Sequence, residues 1–279
     1  IPAPTPDRTR ALSERPDAIV VPRRSTRPPR MAPEPRYSMS DVFARLEQRL
    51  AEYRTRPFLR FLRDPAIDPQ RKLAFAPHVA HFVLSFGDLC SFVLPEHPAP
   101  DWYQDLVNEN CAADTNHWRW FLSDLRELGQ DPKLDYSDAI RLIWSERTVR
   151  TRKLSYHLGH LGLAADTLGR LVLVHCIEGA FQVTVTDVAA ASGQYAAATG
   201  KRLRYLGQNH SEAESTHALE NPETRRRIAA IQVEPDAYQK LCEIVDRCFE
   251  LFGDFTDEML SLATAPPVAL SAHPAPAVG

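Results

Sequence analysis

The sequence predicts a buried core helix at Leu171-Val172-Leu173-Val174-His175-Cys176-Ile177-Glu178-Gly179-Ala180-Phe181. So apolar a run is typical of a helix that is covered on all sides. Glu178 lies inside this run, where a carboxylate is costly unless it is paired or bound to a cation. Gly179 and Ala180 would let a second helix approach closely. We therefore expect Glu178 to bind a metal or to pair with an arginine or histidine, with His175 as a competing ligand or a core histidine.

The composition also favours helices. The chain has 279 residues, with 23 prolines and only 11 glycines, and no two glycines stand in a G-x-G arrangement. A dinucleotide-binding fingerprint is therefore excluded, and a turn-rich β-sandwich or propeller fits poorly. The five cysteines are odd in number and contain no C-x-x-C, which indicates buried thiols in a reducing compartment rather than disulfides.

Helical spacing of apolar residues predicts an all-α bundle of about seven helices. We expect these helices at Ser40–Tyr53, Pro69 to before Pro95 with a kink near Pro77, Asp101–Gly129, Asp135–His160, Asp166–Ala191, Tyr195–Leu219 and Ala237–Leu262. Both ends of the chain are rich in proline without apolar periodicity, a pattern typical of disorder. The predicted organisation is a disordered Pro/Arg-rich tail over residues 1–38, a helical domain over residues 39–263, and a disordered Pro/Ala-rich tail over residues 264–279.

The predicted sixth helix contains the pattern His210-x-x-x-Glu214-x-x-His217. Positions i, i+4 and i+7 lie on one face of a helix, so all three side chains would project together. Two imidazoles with a carboxylate between them are good ligands for a first-row transition metal. The alternative is a solvated polar helix face, to which Glu212 and Glu220 would contribute.

The predicted third helix offers a second acid–histidine pair, Asp114 and His117, again on one face. Two helices that each carry an acid-x-x-His pair are the arrangement by which helical bundles hold two metals. Glu109 is a competing first acid, and Asp114 could instead be an exposed helical carboxylate.

Together these patterns give six predicted metal ligands, which would also be the catalytic residues: Asp114, His117, Glu178, His210, Glu214 and His217. Three carboxylates and three imidazoles suit two iron ions with positions left open for O2, whereas zinc would prefer one four-ligand site.

The order Asp114-x-x-His117, Glu178, His210-x-x-x-Glu214-x-x-His217 resembles the haem-oxygenase-like diiron oxidases and oxygenases. The segments 75–78 (Phe-Ala-Pro-His) and 116–122 are also similar to members of this family, and the resemblance covers about residues 41–262. Asp114 stands where glutamate is commoner, and Glu214 where aspartate is commoner. Both departures keep the charge and change the reach of the side chain.

The resemblance implies a haem-oxygenase-like fold with the metal site in its core, two Fe(II)/Fe(III) ions as cofactor and O2 as co-substrate. It also implies oxidation of a small amine-, amino-acid- or fatty-acid-derived metabolite in biosynthesis, by N-oxygenation, desaturation or oxidative C–C cleavage. Apolar side chains would shield such chemistry from water. Candidates for this wall are Phe82, Phe86 and Phe92.

Two alternatives stay open at this point. One is a metal-free, thiaminase-like hydrolase on the same fold, with Glu178 or Cys176 as the catalytic residue. The other is a non-enzymatic bundle that carries haem or another metabolite through His78 or His81, which we otherwise expect on a solvated polar stripe with Ser85 and Asp88. A basic cluster, Arg147 to Lys153, is expected to be a solvated surface.

The net charge of −3 gives no argument for a nucleic-acid partner or an anionic membrane. No secretory signal is visible, and the predicted location is the cytoplasm. The expected partners are a small-molecule substrate, an external electron donor, and a second copy of the chain in a homodimer, the default for this size and class.

Overall fold

The computed structural model describes residues 37–208 and 221–266, and all of them belong to one compact unit. Helices dominate this part of the chain, which confirms the all-α prediction. Numbered over the described residues, they are α1 (Met39–Tyr53), α2 (Pro57–Arg63), α3 (Pro69–Lys72), α4 (Ala80–Asp88), α5 (Trp102–Asp114), α6 (Trp118–Glu127), α7 (Tyr136–Ile143), α8 (Val149–Ala164), α9 (Thr167–Thr199), α10 (Pro222–Ala229) and α11 (Pro235–Thr264). Single 3-10 turns cover Ala76–Val79 and Glu146–Thr148, and a π-helical turn covers Leu89–Val93.

A two-residue bridge closes the N-terminal end of the described body. Strand β1 (Tyr37–Ser38) pairs antiparallel with β2 (Gln232–Val233), and the rings of Tyr37 and Tyr238 stack with centroids 3.9 Å apart. The described body therefore begins two residues before the boundary predicted at residue 39. The other residues of both predicted tails lie outside the described ranges, apart from residues 264–266.

Helix α9 is the centre of the bundle. It packs against α11, α5, α2, α8 and α1, and its residues from Leu171 to Ile177 are all buried. The prediction of a buried core helix over Leu171–Phe181 is therefore confirmed. The predicted helix Asp166–Ala191 is confirmed over its whole length, apart from its first residue, Asp166, which caps α9.

Several predicted helices have different bounds in the structure. Helix α9 continues to Thr199 and stops at Gly200, whose φ of 75° is the left-handed conformation that glycine adopts without strain. Tyr195 therefore belongs to α9, and residues 201–207 are not helical, so the start of the predicted sixth helix is wrong. The predicted fourth helix is two helices, α7 and α8, separated by a 3-10 turn.

The predicted third helix is also broken, between α5 and α6. Thr115 and Asn116 interrupt it, and the Thr115 hydroxyl donates to the carbonyl of Cys111, one turn back. Threonine and asparagine side chains compete in this way for backbone partners, which explains why a pattern of apolar spacing did not reveal the break.

Two helical stretches, Pro69–Val93 and Thr167–Thr199, are long and apolar enough to cross a membrane by length and composition alone. About half of each apolar window is buried inside the bundle, at 50% and 56%, and core helices of ordinary bundles meet the same criterion. The predicted cytoplasmic location stays a prediction.

All five cysteines lie in the described residues and are free thiols, as predicted, with four of them buried.

Candidate functional site

The acid–histidine pair of α5 and α6 lies at the junction between the two helices. Asp114 is the last residue of α5 and is only 4% exposed, whereas His117 immediately precedes α6. The Oδ1 atom of Asp114 is 3.5 Å from Nδ1 of His117. The two side chains are therefore close, although the single helix face on which the sequence analysis placed them does not exist.

Glu178 on α9 faces α5. The side-chain amide of Asn110 donates to Oε1 of Glu178 at 2.8 Å, and Asn110 is 3% exposed. Asn110 precedes Asp114 by one helical turn, so α5 presents an amide and a carboxylate on the same face. Asn110 was not among the predicted site residues. Its spacing of four residues from Asp114 and seven from His117 could have indicated that it lies on the same side as this pair.

His175 lies one turn before Glu178 and is buried against Phe43 of α1, with ring centroids 5.1 Å apart. Burial lowers the pKa of His175 to about 4, and the positive charge of Arg225 acts in the same direction. The imidazole is therefore neutral at pH 7. Its Nε2 atom is buried and has no hydrogen-bond partner among the described residues.

Two buried cysteines lie in the core around the site, and one of them, Cys90, is near the carboxylates. The Cys111 side chain, burial, and the charges of Asp114 and Glu178 raise the pKa of Cys90 well above its usual value. Burial and contact with Cys248 do the same for Cys176, which lies between α9 and α11. Both Cys90 and Cys176 are therefore neutral thiols and poor nucleophiles.

A narrow pocket opens beside Asp114 and His117, and its cavity volume of about 10 Å³ is room for about one water molecule. Aromatic and apolar side chains form most of its lining, which comprises Val83, Phe86, Gly87, Trp118, Phe181 and Tyr205 in addition to the pair. Of the three predicted wall residues, Phe86 lines the pocket and Phe82 packs behind it against Phe181. Phe92 is 80% exposed, so its assignment to the wall is wrong.

Residues 201–207 supply Tyr205 to this pocket, and α6 holds them in place. The carboxylate of Asp124 accepts the backbone N–H groups of Arg204 at 2.7 Å and Leu206 at 2.8 Å. The ring of Trp120 lies under the guanidinium of Arg204 and stacks on His117. This non-helical segment is thus a built part of the site.

Gly87 of α4 sets the spacing between the pocket wall and the α5–α6 junction. A Cβ atom at this position would lie 3.2 Å from the carbonyl oxygen of Thr115, closer than an ordinary contact. A larger residue at this position would therefore require α4 or the junction to shift by a few tenths of an ångström.

The three remaining predicted ligands, His210, Glu214 and His217, lie outside the described residues. The described segments before and after these residues both contribute near the site. Tyr205 lines the pocket, and the positive charge of Arg225 lowers the pKa of His175. Glu109, the competing first acid, is exposed, whereas Asp114 is buried.

Within residues 37–208 and 221–266, no group of three or more His, Cys, Asp or Glu side chains could hold a metal ion. The side chains of Asp114, His117 and Glu178 are two carboxylates and an imidazole, which are donor types that iron accepts. A dinuclear site at these residues would need further ligands from outside the described residues.

His78, His81 and Ser85 are half-buried, whereas Asp88 of the same polar stripe is exposed. The two histidines pack under the segment that joins α7 to α8, where the ring of His81 contacts those of Trp144 and Tyr156. Burial lowers the pKa of His78 to about 4, with Arg147 acting in the same direction. Neither histidine lines the pocket at Asp114.

No protein-family model matches this chain, and no curated protein sequence matches it. Solved structures do match its fold. A TenA homolog from Pseudomonas syringae pv. tomato DC3000 superposes with a TM-score of 0.60, at 13% identity, over 81% of this chain and 94% of that one. A domain of unknown function with a haem-oxygenase-like fold from Shewanella denitrificans gives 0.58, at 13% identity, over 81% and 93%. The chain therefore has a haem-oxygenase-like fold, as the sequence resemblance implies.

Proposed function

We propose, from this fold and its buried acid–histidine cluster, that the protein is a non-haem diiron, O2-dependent oxidase or oxygenase. Its substrate would be a small amine-, amino-acid- or fatty-acid-derived metabolite of a biosynthetic pathway. The observation that carries the proposal is the placement of the Asp114–His117 pair beside the Asn110–Glu178 pair, next to a pocket lined by aromatic rings.

The residues that would hold the metal are Asp114, His117 and Glu178, together with the sequence-predicted His210, Glu214 and His217. Two bound iron ions would supply the electrons and open coordination positions that reduction of O2 requires. An external electron donor would return the irons to the ferrous state after each turnover.

The described residues have separate tasks in this proposal. Asn110 holds the carboxylate of Glu178 in one orientation, as outer hydrogen bonds do for metal ligands. Phe86, Phe181 and Trp118 exclude water from the reacting atoms. Oxidation of the substrate would end in N-oxygenation, desaturation or C–C cleavage.

Metal analysis combined with O2 uptake tests the proposal. Anaerobic protein should bind two equivalents of Fe(II), and O2 should then produce a transient visible band. His117→Ala should abolish the band, whereas His160→Ala, at an exposed position on α8, should leave it unchanged. Binding of two irons without any reaction with O2 would show a metal store and contradict the proposal.

A metal-free, thiaminase-like hydrolase is the second candidate, and the fold similarity to a TenA homolog favours it. Glu178 would then be the catalytic carboxylate, since Cys176 is buried against Cys248 as a neutral thiol. The discriminating measurement is hydrolysis of thiamine and related pyrimidines by chelator-treated protein. Full activity that Glu178→Gln removes would establish this candidate and overturn the diiron proposal.

A further inference from the structure

Exposed large apolar side chains concentrate on α7, α8 and the π-helical turn Leu89–Val93, which packs against α8. Eight large apolar side chains are exposed among the described residues. Leu84 and Leu122 are the least exposed of them, at 39% and 37%. The other six make up what we call the aromatic face: Phe92, Tyr136, Ile140, Trp144, Tyr156 and Leu163.

Helix α7 contributes half of this face. Tyr136, Ile140 and Trp144 recur at steps of four and so form one stripe, and they are 82%, 44% and 57% exposed. No residue of α7 is buried. An amphipathic helix whose apolar stripe points outward has not found its partner inside the described fold.

The parts of the face are joined by direct contacts. The ring of His81 lies 5.3 Å from that of Trp144 and 5.6 Å from that of Tyr156, so it bridges α7 and α8. Leu163 follows Tyr156 by two helical turns on the same side of α8. Arg152 fixes the α7–α8 connection by donating to the carbonyl oxygen of Ser145 at 2.7 Å.

The chain segment that carries α7 and α8 has a net charge opposite to that of the rest of the domain. Between Lys133 and Leu163 there are six lysines and arginines against three acids, whereas the remainder of residues 39–279 carries 19 basic and 29 acidic side chains. Arg147 and Lys153 are exposed and form no ion pair among the described residues. The net charge of the whole chain gives no argument for binding to an anionic membrane, but the distribution of charge along the chain does.

We propose that the aromatic face docks peripherally on an anionic lipid bilayer. Tryptophan and tyrosine prefer the interface between headgroups and acyl chains, and basic side chains beside them are attracted to anionic lipids. The Arg-rich residues 1–36 are basic themselves and do not complement this face. Docking would place the described body at the bilayer surface, with α7 and α8 in contact with the headgroups.

Vesicle flotation with the full chain tests this docking. The protein should float with phosphatidylcholine vesicles that contain phosphatidylglycerol and remain unbound with phosphatidylcholine alone, and binding should weaken as salt is added. Trp144→Ser combined with Tyr136→Ser should weaken binding about tenfold. Arg147→Gln combined with Lys153→Gln should weaken it by a similar factor.

The matched controls are Leu122→Ser on α6 and Lys240→Gln on α11, which should bind like the unmodified protein. Circular dichroism of each variant checks that the helices are intact. Equal binding of all variants, or no binding to anionic vesicles, overturns the proposal. Self-association in analytical ultracentrifugation that Trp144→Ser abolishes, without vesicle binding, would assign the face to a second copy instead.

Discussion

Asn110 is the residue whose side chain links the two halves of the site, because its amide donates to Glu178 and it lies one turn before Asp114. Asn110→Ala removes a buried hydrogen bond to a carboxylate, which should cost about 1–3 kcal/mol in the free energy of unfolding. Iron affinity should also fall, by about 10- to 100-fold, because the carboxylate loses its orientation. Urea denaturation and iron titration measure the two effects.

Asn108→Ala is the matched control for this prediction. Asn108 accepts a hydrogen bond from Gln104 and donates to the Glu96 carbonyl, away from the carboxylates. Its loss should lower stability without changing iron affinity. If both variants bind iron like the unmodified protein, Asn110 has no part in holding a ligand.

His78 makes stability depend on pH. Its pKa is about 4 in the folded protein because the ring is buried, whereas an unfolded chain has the ordinary value of 6.5. Above pH 6.5 the ring is neutral in both states. Between pH 6.5 and 4 the unfolded state binds the proton first, so the folded protein loses stability as pH falls, by at most about 3 kcal/mol.

Urea unfolding at pH 7.5 and pH 4.5 measures this loss, and the comparison is with His78→Gln and with His160→Gln at an exposed position. The unmodified protein and the His160 variant should lose similar stability on acidification. The His78 variant should lose less. An equal loss in all three would show that His78 does not titrate between these limits.

At the scale of elements, Asp124 of α6 holds residues 204–206 against the site through two backbone N–H groups. Asp124→Ala leaves those donors without their acceptor and should destabilise the protein by about 1–3 kcal/mol. Hydrogen exchange should then accelerate at Arg204 and Leu206. Asp131→Ala, whose carboxylate is 54% exposed, should change neither quantity.

Helix α8 depends on a cap that another helix supplies. The buried carboxylate of Glu258, on α11, accepts the backbone N–H groups of Arg150 and Thr151, each at 2.8 Å. Glu258→Ala should therefore lower the free energy of unfolding by about 1–3 kcal/mol, since it leaves these N–H groups in the first turn of α8 without their charged acceptor. Thermal unfolding checks this, with Glu250→Ala on the exposed side of α11 as control. Equal melting temperatures would contradict it.

For the whole molecule, the two-residue bridge between β1 and β2 predicts how shortening the N-terminal end changes thermal stability. A chain that begins at Pro35 keeps β1 and the hydrogen bond from Met39 to the carbonyl of Ile231. A chain that begins at Ser40 loses both, together with the fully buried Met39 side chain. The shorter chain should unfold several degrees lower in calorimetry. Equal melting temperatures would show that the bridge contributes nothing.

The sequence predicted the helical class well because buried helices impose a strong spacing on apolar residues, as in the run around Ile177. It predicted interruptions poorly. The break at Thr115 depends on a side-chain hydrogen bond to the backbone, and the stop at Gly200 lies inside a run of small residues that apolar spacing does not mark.

Part of the candidate site could likewise be predicted from local patterns in the sequence, and part could not. Acid and histidine spacing on one helix indicated Asp114 and His117, and an apolar environment indicated Glu178. The position of Asn110 against Glu178 depends on how α5 packs on α9, which no local pattern contains. The exposed position of Phe92 likewise depends on packing around the π-helical turn.

The close approach at Gly87 has a consequence for how this site can vary between relatives. A Cβ atom there would lie 3.2 Å from the backbone carbonyl oxygen of Thr115, so an alanine requires the α5–α6 junction to yield by a few tenths of an ångström. The constraint comes from the backbone, so it does not depend on which residue stands at position 115. Since Asp114 and His117 flank this junction, we expect relatives with a larger residue at position 87 to hold these two side chains in a different relative position.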